Sequence, residues 1–236
     1  MLPRNLQTEL FDLGKAVDLK HNECLLDDSG QSEFIYFPFC GFISLVTSVD
    51  KHPAMEIALI GREGMLGMAL LAGNSVPPLQ AVVQGAGRAL RIETTTLQKE
   101  LLASSTLRLI VGHHSHLLLT ELANTITCSN FHAVKPRLAK RLLSIQDRAE
   151  ADHFHYTHQA LADMLGVRRS AISIAAGELQ QEKCISYSRG NITIADRRAL
   201  EAVSCSCYKQ VKHSLRIVKN SLAIVCMNRN RYVANS

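Results

Sequence analysis

One glycine, standing between two short amphipathic patterns, constrains this chain more than any other feature. In THQALADMLGVRRSAISIAAGELQQ, Leu161, Met164 and Leu165 form an apolar face ahead of Gly166, and Ile172, Ala175, Ala176 and Leu179 form another after it. Thr157 can cap the first helix through its hydroxyl, and Gly166 can end it in the left-handed conformation. Ala162 is small where two helices would cross closely. The spacing predicts a second helix from about Arg168 to Glu182. Two helices meeting at such a turn form a helix-turn-helix, whose second helix enters the DNA major groove with its N-terminal residues at the base edges. Arg168, Arg169, Ser170 and Ser173 fall on that outer, N-terminal part and are the expected base readers.

The following residues strengthen the reading. Two short β patterns, Ile185–Tyr187 and Ile192–Ile194, flank Ser188-Arg189-Gly190-Asn191. A hairpin directly after a recognition helix is a wing, and its Arg189 and Asn191 are expected near phosphates. Asp196 is placed to cap a further helix running from Arg197 to about Cys205.

Composition narrows the class. A chain of 236 residues with 47% hydrophobic content is long enough for one or two globular domains. No stretch is long and apolar enough to span a membrane. The first residues, MLPRNLQTELFD, lack the apolar run of a secretory signal, so a cytoplasmic location is expected. Charge is unevenly divided. Residues 1–134 carry nine Lys/Arg against thirteen Asp/Glu, residues 135–200 eleven against seven, and residues 201–236 six against one. An acidic first half joined to a basic remainder suits a DNA reader attached to a sensing or dimerising module. No Ser/His/Asp arrangement, HExxH or P-loop is present; the Gly61–Gly67 loop lacks the following Lys-Ser/Thr pair, so an enzyme is not expected.

The seven cysteines are scattered, odd in number and form no CxxC, which argues against a disulfide framework. Cys205 and Cys207 are the only close pair. On a helix, residues two apart point to different sides, so the pair is expected to chelate poorly. No metal site is expected. The histidines at 113, 114 and 116 and at 153, 155 and 158 are assigned surface or interhelix roles, because HHxH lacks the i, i+4 pair of a helical zinc site.

Residues 34–92 read as strands. FIYFPFCGFISLVTSV is aromatic and β-branched but interrupted by Pro38 and Gly41; EIALI follows a turn; QAVVQGAGRALRI reads as two strands around Gly85 and Gly87. Such strands suggest a small jelly roll or barrel. A short helix over Thr94–Ala103 and a long one from about 106 to 132 come next. Along the long helix Val111, Leu118, Leu122 and Ile126 could form a two-helix seam between protomers; packing on the protein's own roll is the alternative. Another helix, Val134–Arg148, tolerates Pro136 in its first turn. The fold class is therefore α+β: an N-terminal β-roll domain with a dimerisation helix over 1–133, then a winged helix-turn-helix domain with a basic extension over 134–236. In that extension KQVKHSLRIVKNSLAIV is basic and amphipathic, open to three readings: a helix docked on the winged domain, an added phosphate contact, or a disordered end.

The whole order resembles the Crp/Fnr family of bacterial transcription regulators. The resemblance spans roughly residues 8–208 and is strongest in THQALADMLGVRRSAIS and YSRGNITI, with weaker echoes in YFPFCGFISLV and IGREGMLG. It implies a bacterial homodimer joined through the long helix, a roughly palindromic promoter site in double-stranded DNA, contact with RNA polymerase and a cyclic-nucleotide-binding-like roll. It places Arg169 at the position of the base-reading arginine, whose fork matches guanine. Thr157 and Gln159 fall at phosphate-holding positions. Ser170 replaces a common glutamate and Ile174 a second arginine. In the roll, Gly64-Met65-Leu66 aligns with the family's Gly-Glu-Leu and Leu79-Gln80-Ala81 with its Arg-Ser/Thr-Ala, so the ribose-holding glutamate is Met65 and the phosphate-neutralising arginine is Leu79. Arg62, Glu63, Gly64, Met65, Leu79 and Gln80 are thus a pocket remnant in which a cyclic phosphate finds no matched charge. Leu122 and Ala123 replace the hydroxyl pair that contacts adenine. Cyclic AMP is not an expected ligand. Nor is an iron–sulfur cluster of the oxygen-sensing branch, since only Cys24 precedes residue 40. A redox-, metal- or haem-responsive regulator on the same scaffold is the alternative.

Overall fold

The computed structural model describes residues 10–27, 32–48, 50, 53–71 and 79–218; the apolar positions expected beyond 218 lie outside them. Five strands build the N-terminal sheet: β1 (Gly14–Leu19), β2 (Cys24–Leu26), β3 (Phe34–Thr47), β4 (Met55–Ile60) and β5 (Leu79–Glu93). All pairings are antiparallel, in the order β1-β5-β3-β4, with β2 also on β5. The pairing of β3 with β5 runs from Phe34↔Glu93 to Thr47↔Leu79, with register shifts around Cys40 and Phe42. Each shift bends the ribbon and curls the sheet. Glycine permits the curl: Gly41 has a φ of +75°, and a Cβ at Gly87 would meet the Cys40 carbonyl oxygen at 2.2 Å.

The two strands expected around Gly85 and Gly87 are one strand of 15 residues, because the bulges absorb the glycines without ending the ladder. Strands β1 and β2 precede the segment expected to be β. Their six and three residues carry too little alternation to stand out.

Helices follow in the expected order. A one-turn helix α1 (Met68–Leu71) leads to α2 (Thr94–Ala103) and α3 (Ser105–Phe131). The Ser104 hydroxyl caps α3, accepting from the Leu107 N–H at 3.2 Å. The chain extends at His132 and Ala133, then enters α4 (Val134–Ala149). Every residue of α4 from Arg137 to Gln146 is buried, because this helix lies between the roll and the remaining C-terminal elements. Those are α5 (His158–Leu165), α6 (Arg169–Gln181), the sheet β6 (His153–His155), β7 (Ile185–Ser188) and β8 (Asn191–Ile194), and α7 (Arg197–Val203). A further helix, α8, covers 206–218 of the described residues.

The C-terminal core gathers Leu138, Leu142 and Leu143 of α4 with Leu161, Ile172, Leu179, Ile192 and Leu200. Phe42 and Leu59 of the roll belong to the same cluster, so the two domains share apolar packing. Burying such a side chain is worth about 1.5–3 kcal/mol. Charges seal this boundary. Arg141 of α4 pairs with Glu56 of β4, their side chains 4% and 9% exposed, and the Ser44 hydroxyl donates to the other Glu56 oxygen at 2.5 Å. Burial pushes the Glu56 carboxyl up from its ordinary range, against the opposing pull of Arg141. Arg148 pairs with Glu63 at 2.7 Å.

Three of the four residues expected at the α3 seam face inward. Val111 packs against the cluster containing Phe37 and Leu97, while Leu118 and Leu122 pack against the cluster containing Ile43 and Leu45. Only Ile126 of the four is open to solvent, at 65% exposure, along with Leu109 and Leu119. The apolar stripe marked the roll-facing side of α3. The solvent-facing side reads Leu109, Gly112, His116, Leu119, Ala123, Ile126 and Asn130, all exposed and separated by alternating steps of three and four. Helix α8 touches both domains: Tyr208 joins the C-terminal core and Lys212 pairs with Glu201 of α7 at 3.5 Å, while Val211 and Leu215 line a cavity with Met68, Leu117 and Leu118 of the roll and α3.

His114 on α3 is buried beside Phe37, its Nδ1 without a hydrogen-bond partner among the described residues. Burial lowers its pKa to about 4, reinforced by His113 and opposed by Glu63. The unfolded chain binds a proton that the folded chain refuses, so stability is lost as pH falls from about 6.5 toward 4, by about 3 kcal/mol in all. His114→Leu is expected to flatten that part of the pH dependence in urea unfolding at pH 7 and pH 4.5. An unchanged slope would place the proton uptake elsewhere.

Candidate nucleic-acid interface

The turn is built as the residues dictate. The Thr157 hydroxyl accepts from the Ala160 N–H at 3.1 Å, capping α5. Gly166 closes the helix at φ +62°, and the Val167 N–H reaches back to the Ala162 carbonyl at 3.0 Å. A side chain at Gly166 would also strike Met55 of β4, whose Sδ lies 2.7 Å from the position a Cβ would take. The glycine is thus required by backbone geometry and by the nearness of the roll.

Ile172, Ala175, Ala176 and Leu179 bury the inner face of α6. Arg168, Arg169, Ser170, Ser173 and Ile174 are all exposed on its N-terminal half. They divide into two sets. Arg168, Ser170 and Ile174 border a cleft of about 760 Å³ whose other wall is Thr47, Pro53 and Met55 of the roll. Arg169 and Ser173 stand away from that cleft. Neither Arg168 nor Arg169 makes an ion pair or hydrogen bond through its guanidinium among the described residues, so both forks are available to a ligand.

Ser173 is less free. Its hydroxyl donates to the Arg169 carbonyl at 3.1 Å and lies 2.9 Å from the His158 Nδ1. His158 stacks on Tyr187 of the wing, ring centroids 4.3 Å apart, and its Nε2 is buried without a partner among the described residues. Burial and then the charge of Arg169 lower its pKa, which favours the neutral ring. The Tyr187 N–H also donates to the Gln180 side chain at 2.7 Å. His158 therefore joins α5, the recognition helix and the wing. The sequence assigns it only a surface or interhelix role, because a histidine at the first helical position carries no periodic signal.

The wing turn takes the tight two-residue form, with Arg189 at φ +49° and Gly190 at φ +86°. Arg189 is exposed at its tip and unpaired among the described residues. The other expected phosphate contacts are exposed but already engaged. Thr157 caps α5, Gln159 donates to Asp163 at 2.8 Å, and the Asn191 Oδ1 lies 3.1 Å from the His155 Nδ1. Strand β6 pairs with β8 and adds a third strand beneath the wing. Asp196 caps α7, accepting from the Ala199 N–H at 3.0 Å.

The expected pocket remnant is arranged differently. Met65 is buried in the roll core with Ile35, Leu90 and Ile92. Arg62 pairs with Glu150, and Glu63 accepts from Arg148 and from the Gly61 N–H. Two charges of this loop thus reach α4 and the residue that ends it. Gly64 closes the loop with its N–H on the Gly61 carbonyl at 3.0 Å, and Leu79 and Gln80 open β5 opposite Thr47 and Val46.

Residues 136–203 match the model of the Crp-like helix-turn-helix domain. A search of curated proteins returns no match. Among solved structures, a putative transcriptional regulator of the Crp/Fnr family from Eubacterium rectale is similar at 16% identity and a TM-score of 0.66, covering 86% of this chain and 94% of that one. A CRP/FNR-family regulator from Thermus thermophilus is similar at 20% identity and a TM-score of 0.67, covering 80% and 98%. FixK2 from Bradyrhizobium japonicum is similar at 15% identity and a TM-score of 0.67, covering 81% and 98%. The chain carries a Crp-like helix-turn-helix domain on the fold of the Crp/Fnr transcription regulators.

Proposed function

We propose that the protein is a homodimeric regulator that binds a two-fold promoter site and acts on RNA polymerase there, without cyclic AMP. The observation that carries the DNA assignment is the pairing of an exposed Arg169 on α6 with an exposed Arg189 on the wing, both unpaired among the described residues. Arg169 reads a base edge, its fork matching guanine O6 and N7. Arg189 holds a phosphate and positions the domain without reading sequence. Ser173 and His158 brace the helix that presents Arg169.

Dimerisation is assigned to the solvent-facing side of α3. Leu109, Leu119, Ala123 and Ile126 repeat there at heptad spacing, the pattern of a two-helix seam. A Cβ at Gly112 would meet nothing within 4 Å, so this stretch lies open to a second copy. Two recognition helices then meet two half-sites about one helical turn apart. The absence of cyclic AMP from the reading rests on Met65, packed in the core where the resemblance calls for a glutamate, and on Leu79 where it calls for an arginine.

Arg169→Ala is expected to cost about 1–3 kcal/mol at its cognate base and to relax specificity there. Arg189→Ala should weaken all sequences about equally and reduce the salt slope of binding by about one ion. Footprinting and salt titration on cognate and scrambled duplexes separate these outcomes; equal, sequence-blind losses would sink the two roles. Leu119→Glu combined with Ile126→Glu should convert dimer to monomer in sedimentation velocity while the far-ultraviolet dichroism is kept, and a persistent dimer would move the seam. Isothermal titration with cyclic AMP should give no binding in the micromolar range.

A further inference from the structure

Four metal-ligating side chains converge at the point where the long helix gives way to the DNA-binding domain. Cys128 and His132 lie one turn apart on the last part of α3 and its cap, so they share a helix face. Cys205 comes from the break between α7 and α8, and Cys207 from the first turn of α8. The donor atoms of all four lie within 4.8 Å of one another. The Cys128 and Cys205 sulfurs are 3.5 Å apart, and the Cys207 sulfur is 3.6 Å from the His132 Nδ1.

The expectation that Cys205 and Cys207 chelate poorly assumed both on one helix. Cys205 instead lies in the non-helical break, so the two thiols turn toward one centre. The break is held from several sides. The Cys205 N–H reaches the Pro136 carbonyl at 3.4 Å, and the Tyr208 hydroxyl donates to Asp147 at 2.8 Å and accepts from Arg197 at 2.7 Å. The three thiols form a buried cluster of their own.

We propose that Cys128, His132, Cys205 and Cys207 bind one thiolate-preferring divalent ion, zinc, in a tetrahedral Cys₃His site. With Zn–S near 2.3 Å and Zn–N near 2.0 Å, a tetrahedron places its sulfurs about 3.8 Å apart and sulfur about 3.5 Å from nitrogen. The Cys128–Cys205 and Cys207–His132 separations lie within a few tenths of an ångström of these, and the remaining pairs, all within 4.8 Å, need to close by about 1 Å at most. Three protein thiolates and a neutral imidazole around a divalent ion leave one net negative charge. The buried Lys140 supplies a positive charge that acts on all three thiols. Four protein ligands leave no open position, which makes the site structural rather than catalytic. The ion fastens the end of α3 to the segment after α7, across the extended link at His132 and Ala133. Binding releases the thiol protons, so affinity falls as pH is lowered. The proposal stands apart from the DNA reading, since metal content and DNA affinity are separate measurements.

The test uses the full-length reduced protein. Elemental analysis after zinc loading and desalting should give about one ion per chain. Cobalt(II) added to the metal-free protein should give the intense visible absorption of a tetrahedral thiolate site, displaced by zinc. The paired substitution Cys205→Ser and Cys207→Ser should abolish that spectrum, whereas Cys24→Ser, at an exposed site elsewhere, should leave it intact. Alkylation of the wild-type chain with peptide mapping does not depend on any variant folding. Cys128, Cys205 and Cys207 should be protected when zinc is present and labelled after chelation. Absent metal with no cobalt–thiolate absorption, a spectrum that survives the paired substitution, labelling indifferent to zinc, or a Cys128–Cys205 disulfide in place of bound ion would each overturn the assignment.

Discussion

The rest of the molecule is arranged around one buried ion pair. Arg141 is carried inward by α4 and Glu56 by β4, and neither can be left alone in the interior, because an unpaired buried charge costs several kcal/mol. The pair demands that roll and DNA-binding domain meet in one register. Ser44 completes the demand by donating to the second carboxylate oxygen, so a carboxylate deep between two domains has partners on both oxygens. Phe42 and Leu59 then fill the space beside it with apolar contact. Hydrophobic packing supplies most of the cohesion here, while the ion pair supplies the alignment.

The loop from Gly61 to Gly67 ties the roll to the C-terminal domain through its charges. Its charges are turned outward, Arg62 to Glu150 and Glu63 to Arg148, and the residue between them and the core is Met65. This segment therefore spans two domains. Its cross-domain contacts sit near the end of α4, whereas Arg141 and Glu56 clamp the middle of the helix. Together they hold α4 at two points along its length.

The sequence was most legible where a local rule had a local cause. Thr157, Gly166, Asp196 and the inner face of α6 follow from capping, left-handed geometry and helical period, all fixed within a few residues. It was least legible where the cause was distant. Val111, Leu118 and Leu122 have the period of an apolar face, but the period does not say which surface covers it, and the roll does. Strand β6 depends on β8, a partner that lies beyond the whole recognition helix. Cys128 and Cys205 meet across 77 residues, and no spacing rule could bring them together. His158 gave no signal because its contacts come from two elements that are neighbours only after folding.

The shared core has a consequence for how the protein could change state. Turning the DNA-binding domain about His132 and Ala133 would draw Phe42 and Leu59 from their places and separate Arg141 from Glu56 together. A boundary of that kind resists small displacements: a partial turn would already part the paired charges while the apolar contacts around them still exclude water. Any signal crossing it must supply enough free energy to release the whole interface, so the response of a single molecule would be a discrete step, and gradation could arise only from how many molecules have taken it.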